Sequence, residues 1–255
     1  MPMKRLATIA VLGAALTAAF ASPAAHAATS VATLSGLHVA IIDLTPDDGV
    51  APSLTFMSTG GLVSAGVGTA GGMDTVTDFL RSGNVTAHNA IGGTASVAAL
   101  YEGQVQAMGS VGNYGDFISQ SWLYSNFTLG ANTQLVLTGH ASLGTDFAAG
   151  NPNNVGSASV YIEIVDDQDG GGISLMETYS NEVTSYTAGP VGANDDFTLT
   201  FTNASANALL ARMTLSAHAE GLVSAVPEPS TWLMLGAGLA LTGTLARRRR
   251  AQQAN

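Results

Sequence analysis

Asp166-Asp167-Gln168-Asp169-Gly170 places three carboxylates within four residues, the densest set of hard oxygen donors in the chain. Such donors suit Ca²⁺. An EF-hand register with Gly170 as its central glycine would put Val165 and Met176 at the first and last ligand positions, and neither carries a side-chain oxygen. That loop is therefore excluded. An irregular calcium site built on Asp166, Asp167 and Asp169 stands against a solvated acidic hairpin turn, and the turn is the preferred reading; no other metal or cofactor is implied. His38, His88, His140 and His218 show neither HxH nor HExxH spacing, and His140 and His218 fall on the polar faces of their segments. Gly61-Leu62-Val63-Ser64-Ala65-Gly66 reads GxxSxG rather than GxSxG and lacks a strand-to-helix setting, so it is assigned to a mobile Gly/Ser/Thr-rich loop over 58–72. A glycosidase asks only for two carboxylates at a suitable separation, which many acids supply by chance. Asn84-Val85-Thr86, Asn126-Phe127-Thr128 and Asn203-Ala204-Ser205 match the N-glycosylation sequon. The chain has no cysteine, which removes disulfides, thiolate metal sites and a Cys nucleophile.

The elements that would carry these residues read as strands. Phe197, Leu199 and Phe201 alternate with Thr198, Thr200 and Thr202; Leu135, Leu137 and Ala141 share one face; Val160, Ile162 and Ile164 share another. Ala211, Met213, Leu215 and Ala217, and Leu37, Val39 and Ile41, add two more sets. Weaker candidates lie at 53–58, 84–91, 95–108, 122–129 and 173–187. Turn formers separate these runs at Asp47-Asp48-Gly49, Gly71-Gly72, Gly130-Ala131-Asn132, Asp169-Gly170 and Asn194-Asp195-Asp196. No stretch reads as a long amphipathic helix. The expected fold is all-β, an antiparallel β-sandwich of immunoglobulin-like or jelly-roll type over 28–225.

Charge is distributed unevenly along the 255 residues. Apolar residues are 46% and charged residues 10% of the chain, whose net charge is −10. Between 28 and 226 only Arg81 and Arg212 face seventeen acids, a local net charge of −15. Such a body cannot neutralise a phosphate backbone, so nucleic acid is excluded as a partner. Cations, basic surfaces and neutral glycans remain.

The basic residues gather at the two ends. Lys4 and Arg5 precede the apolar stretch Leu6–Phe20, and Ala25-His26-Ala27 supplies a small-x-small cleavage site with the mature start at Ala28. Residues 1–27 are thus a signal peptide, to be removed by signal peptidase. At the other end Val226-Pro227-Glu228-Pro229 is followed by the uncharged Ser230–Ala246 and then Arg247, Arg248, Arg249 and Arg250. Seventeen helical residues span about 25 Å, short for a bilayer but sufficient for a thin one. Trp232 suits the interface, Leu233, Leu235, Leu239, Leu241 and Leu245 the lipid, and the Arg cluster fixes its side as cytoplasmic, with 251–255 as the tail. The anchored precursor would then hold its body on the far side of the inner membrane. Pro227 and Pro229 keep the backbone extended, as either a rigid spacer or a protease substrate requires.

The arrangement over 226–250 resembles the PEP-CTERM sorting signal of Gram-negative bacteria. The resemblance implies recognition of Pro227, Glu228 and Pro229 by an exosortase, a membrane-embedded cysteine protease, with cleavage at or near them. Segments 126–143 and 197–218 are similar to strands of other proteins of this kind, which implies a surface or matrix role. The expectation is a non-enzymatic structural protein of the cell surface or extracellular, exopolysaccharide-rich biofilm matrix. A secreted glycan- or calcium-binding module, and then a secreted glycan hydrolase, are the alternatives.

Overall fold

A computed structural model describes residues 27–69, 72–79, 83–88, 95–101, 103–112, 114–147, 154–166 and 175–224, with isolated positions 236, 238, 239 and 242. The described chain forms strands β1 (Ala28–Asp43), β2 (Leu54–Thr69), β3 (Gly72–Asp78), β4 (Gly83–His88), β5 (Ala95–Tyr101) and β6 (Gln104–Val111). It continues with β7 (Gly115–Leu129), β8 (Thr133–Phe147), β9 (Val155–Asp166), β10 (Met176–Ser185), β11 (Val191–Asn203) and β12 (Leu209–Val223). Two six-stranded antiparallel sheets result, in the orders β11-β8-β1-β6-β5-β4 and β10-β9-β12-β7-β2-β3. The all-β sandwich expected from period-two alternation is thus what these residues build. Six strands per sheet exceed the usual complement of an immunoglobulin domain or a jelly roll.

The alternation explains the layers. Along β12, Leu209, Ala211, Met213, Leu215, Ala217 and Ala219 point inward and are buried, while the residues between them face outward. Phe127 of β7 meets Phe201 of β11 edge-on across the gap, with ring centroids 6.4 Å apart. At one lateral edge Tyr179 of β10 stacks on Phe197 of β11 at 4.6 Å, which closes the space between the sheets.

Two bulges reconcile apolar sets that are out of phase. In β1 the buried positions are Ala28, Ser30, Ala32 and Leu34, and beyond them the partly buried Leu37 and Val39 pack against the core. The parity changes at a register shift between Ser35 and His38, where Gly36 adopts φ +60°. An extra residue there returns Leu37 to the core; without it the rest of β1 would face the wrong way. A second shift between Phe56 and Ser58 does the same in β2.

Two readings need correction. Residues 58–69 are not a loop but the larger part of β2, so Gly61–Gly66 is strand. Val63, Ala65 and Val67 alternate inward and are buried, a period diluted by Ser64 and Gly66 between them and by glycines on either side. Those glycines make room for neighbours: a Cβ on Gly60 would overlap the ring of Tyr124, and one on Gly68 would overlap the Asp116 carboxylate. Likewise Asn194-Asp195-Asp196 is not a break but lies inside β11. An edge strand tolerates such residues because its flank meets water and charge there discourages edge-to-edge pairing.

Residues 26–224 form one unit and the two ends a second. Of that second unit the four described positions, Gly236, Gly238, Leu239 and Thr242, are helical. The Thr242 hydroxyl donates back to the carbonyls of Gly238 (3.0 Å) and Leu239 (2.9 Å). Among the described residues no helix is long and apolar enough to cross a membrane.

Candidate functional site

The acidic turn is positioned by β9 and β10. Asp166 ends β9, is buried, and accepts a hydrogen bond at Oδ1 from the Leu175 amide (3.1 Å). Its own amide donates to the Leu175 carbonyl, also at 3.1 Å. Asp166 therefore closes the base of the loop that leads into β10, a structural duty that explains a carboxylate at that position. Asp167 and Asp169 lie outside the described residues. Among the described residues no three His, Asp or Glu side chains gather as a metal would require.

Among the described residues the histidines form no metal-binding group. His38 is exposed on β1 opposite Thr138 of β8. His140 of β8 sits opposite Asp196 of β11, Nδ1 to Oδ1 at 2.7 Å, with both side chains open to solvent. His218 faces outward on β12 between Ser159 and Gln120. Of His88 the structure describes the backbone only, in β4.

Polar groups elsewhere are committed to the fold. Asn203 is buried and donates from Nδ2 to the carbonyls of Leu129 (3.2 Å), Gly130 (2.8 Å) and Asn207 (2.9 Å). Its Oδ1 accepts from the Ser205 amide and hydroxyl at 3.1 and 2.7 Å. A nitrogen so engaged is no glycosylation acceptor, whatever the sequon suggests. Asp48 caps its turn by accepting from Thr45 Oγ1 (2.6 Å) and from the Val50 amide (2.7 Å); the Thr45 hydroxyl first, then that amide, hold its carboxyl below the ordinary range. Tyr179 donates to Asp195 Oδ2 at 3.0 Å, and burial is the main reason its phenol titrates above the ordinary value. Tyr161 donates to Glu163 Oε2 at 2.7 Å, and that bond to a carboxylate, with some burial, raises its phenol too. An open trough of about 680 Å³ crosses β6, β1 and β8 beside Thr29, Val31, Met108 and Asp146, and among the described residues that line it Asp146 is the one acid.

Three exposed aromatics escaped the sequence reading. Trp122, Tyr124 and Tyr161 face outward from the sheet that holds β7, β9 and β12. The signal was present in the i, i+2 spacing of Trp122 and Tyr124, but which face of a strand is outermost is settled only by its partners.

The tail begins where the fold stops. β12 runs to Val223, which is buried, and the Ser224 amide donates to Asn154 Oδ1 at 3.0 Å. Pro227, Glu228, Pro229, Trp232, Leu233, Leu235, Leu241, Leu245 and Arg247–Arg250 lie outside the described residues, as does Ala25. Leu239 is described and exposed. Ala27 is the first described residue, and Ala28 opens β1 with no exposed surface.

Residues 225–250 match the family model of the PEP-CTERM protein-sorting motif. The chain carries this sorting signal, and with it the mark of an exported protein that an exosortase sorts. The match covers about a tenth of the sequence and leaves the sandwich untouched. No curated protein and no solved structure matches the chain.

Proposed function

We propose that the chain is a non-enzymatic structural protein of the cell surface or extracellular matrix. Signal peptidase removes residues 1–27, the apolar segment 230–246 holds the precursor in the inner membrane, and an exosortase cleaves at or near Pro227–Pro229. The body then joins the surface or an exopolysaccharide matrix. The observation that carries this reading is the sorting motif at 225–250, which begins directly after the last strand ends at Val223. Cleavage there costs the sandwich no strand, and cleavage before Ala28 leaves β1 whole. A structural body is favoured by how its polar groups are spent: Asp166 and Asn203 close turns, and Asp195 and Tyr179 join the two sheets at one edge.

The test is intact mass of the protein from envelope and extracellular fractions, with and without the host's exosortase. A species running from Ala28 to the Pro227–Pro229 region, absent without the exosortase, is expected. Deletion of 226–250 should also abolish surface or matrix location. An intact tail in every fraction would refute processing, and unchanged location after deletion would refute sorting by the tail.

A further inference from the structure

We propose that the outer face of the sheet containing β7, β9 and β12 is a docking platform for an extended, neutral polysaccharide. The register places Ser216 of β12 opposite both Tyr161 of β9 and Trp122 of β7. All three therefore point to the same side, and the two aromatics stand two strand spacings apart, about 10 Å. That separation is of the order of a disaccharide. The row extends through Ser180 on β10 and Leu62 on β2 and contains no charge.

The two tyrosine rings of this face are held in place. Tyr124, two residues along β7 from Trp122, sits opposite Gly60 of β2, and its ring lies where a Cβ on that glycine would be. It is laid against the sheet over bare backbone, with its other face in solvent at 48% exposure. Tyr161 is fixed through its hydroxyl on Glu163. Side chains already ordered lose little freedom on binding.

The chemistry fits a sugar chain better than its rivals. The axial C–H faces of a pyranose are apolar and stack on aromatic rings, while its equatorial hydroxyls want donors and acceptors at the rim. Thr214 and Ser216 floor the space between the rings, and Gln120 and His218 border it. Charge decides the rest. A body of net charge −15 repels acidic polymers and a second copy of itself, whereas an uncharged chain incurs no such penalty. Aromatic rings also anchor protein interfaces, but the centre of such an interface is poor in serine, whereas Ser216 and Thr214 lie between these rings.

This inference goes beyond the reading as an exported structural protein and can fail without it, because its test is made in vitro. Full-length protein in a sugar-free detergent is run by affinity electrophoresis through gels containing hydroxyethylcellulose or galactomannan, with alginate as the acidic comparison. Retardation is expected on at least one neutral polymer and not on alginate. Affinity should fall about tenfold or more in W122A and in Y161A, from loss of stacked ring area. Y186A, which removes an exposed aromatic from the β10–β11 turn, should bind as the parent does. Trp122 and Trp232 are the two tryptophans of the sequence. In W232F the emission therefore reports Trp122 alone and should shift to the blue when the neutral polymer is added. W122A and Y161A are first shown by circular dichroism and melting to be folded; if either is not, the emission of W232F decides. No retardation on either neutral polymer, equal retardation by folded W122A and Y161A, or an emission that ignores the polymer would overturn the proposal. So would finding that the parent is a dimer which W122A dissociates.

Discussion

Phe117 is fitted tightly between the two sheets, and a double-mutant cycle around it tests the packing. It is 2% exposed, and its ring fills space left by two glycines: Gly221, its partner on β12, and Gly109, on β6 of the facing sheet. A Cβ on either glycine would overlap the ring. Gly221 has no positive φ, so alanine meets no backbone strain there and would by itself gain up to about 1 kcal/mol from a less flexible unfolded chain. Overpacking against a fully buried ring should reverse that sign and make G221A about 1–3 kcal/mol less stable. F117A should lose about 3–5 kcal/mol by leaving a cavity, a large share of the 5–15 kcal/mol typical of a domain. In the double variant the new methyl enters the space the ring vacated. The loss should therefore fall short of the summed single losses by at least about 1 kcal/mol. Urea unfolding followed by far-ultraviolet circular dichroism measures all four corners. G144A is the control, because its Cβ would meet Val31 Cγ1 at an ordinary 3.4 Å, and it should be neutral or slightly stabilising. Additivity within about 0.5 kcal/mol, or a G221A as stable as its parent, would refute the account.

Two other perturbations follow from polar groups. N203A should cost about 2–3 kcal/mol, since three carbonyls lose their donor, and N203D should cost no less, because a carboxylate cannot donate to them; denaturant midpoints unchanged from the parent would contradict this. Tyr161 and Tyr179 should ionise later than an ordinary phenol in an alkaline titration read by ultraviolet absorbance. Their folded values lie above the unfolded one, so the stability they lend is complete below about pH 10 and is lost as pH rises through the folded values. Y161F and Y179F should each remove one late-titrating group, and a titration with no late component would count against both assignments.

What could be read in the sequence depended on how local the information was. Phe197–Thr202 announces a strand because its alternation is strong and needs no partner to be seen. Val63, Ala65 and Val67 carry the same period in β2, but glycine and serine dilute it, and the reason for Gly60 and Gly68 lies in Tyr124 and Asp116 on β7, far along the chain. The phase change in β1 is equally hidden: Leu34 and Leu37 can both face the core only because a bulge intervenes. Asn194-Asp195-Asp196 looks like a turn until its place on a sheet edge is known. The aromatic face is the extreme case, assembled from three strands whose order in the sheet no linear pattern reveals.

The sorting signal stands at the opposite limit, and the reason is physical. A protease reads an extended segment, so its recognition elements are consecutive, and prolines that hold the backbone straight write the conformation into the sequence. A polymer-binding face is read in two dimensions, and its elements are consecutive only across hydrogen-bonded neighbours such as Tyr161, Ser216 and Trp122. The two kinds of recognition also make separate demands on the fold. Strands β1 and β12 lie inside their sheets and end at Ala28 and Val223, so both proposed cuts fall beyond the hydrogen-bonded ladders. Processing can then alter where the protein resides without altering what its outer face presents. It follows that binding to a neutral polymer should be equal in the precursor and in a chain trimmed to the mature ends. A difference between the two would mean that a terminal segment takes part in the face.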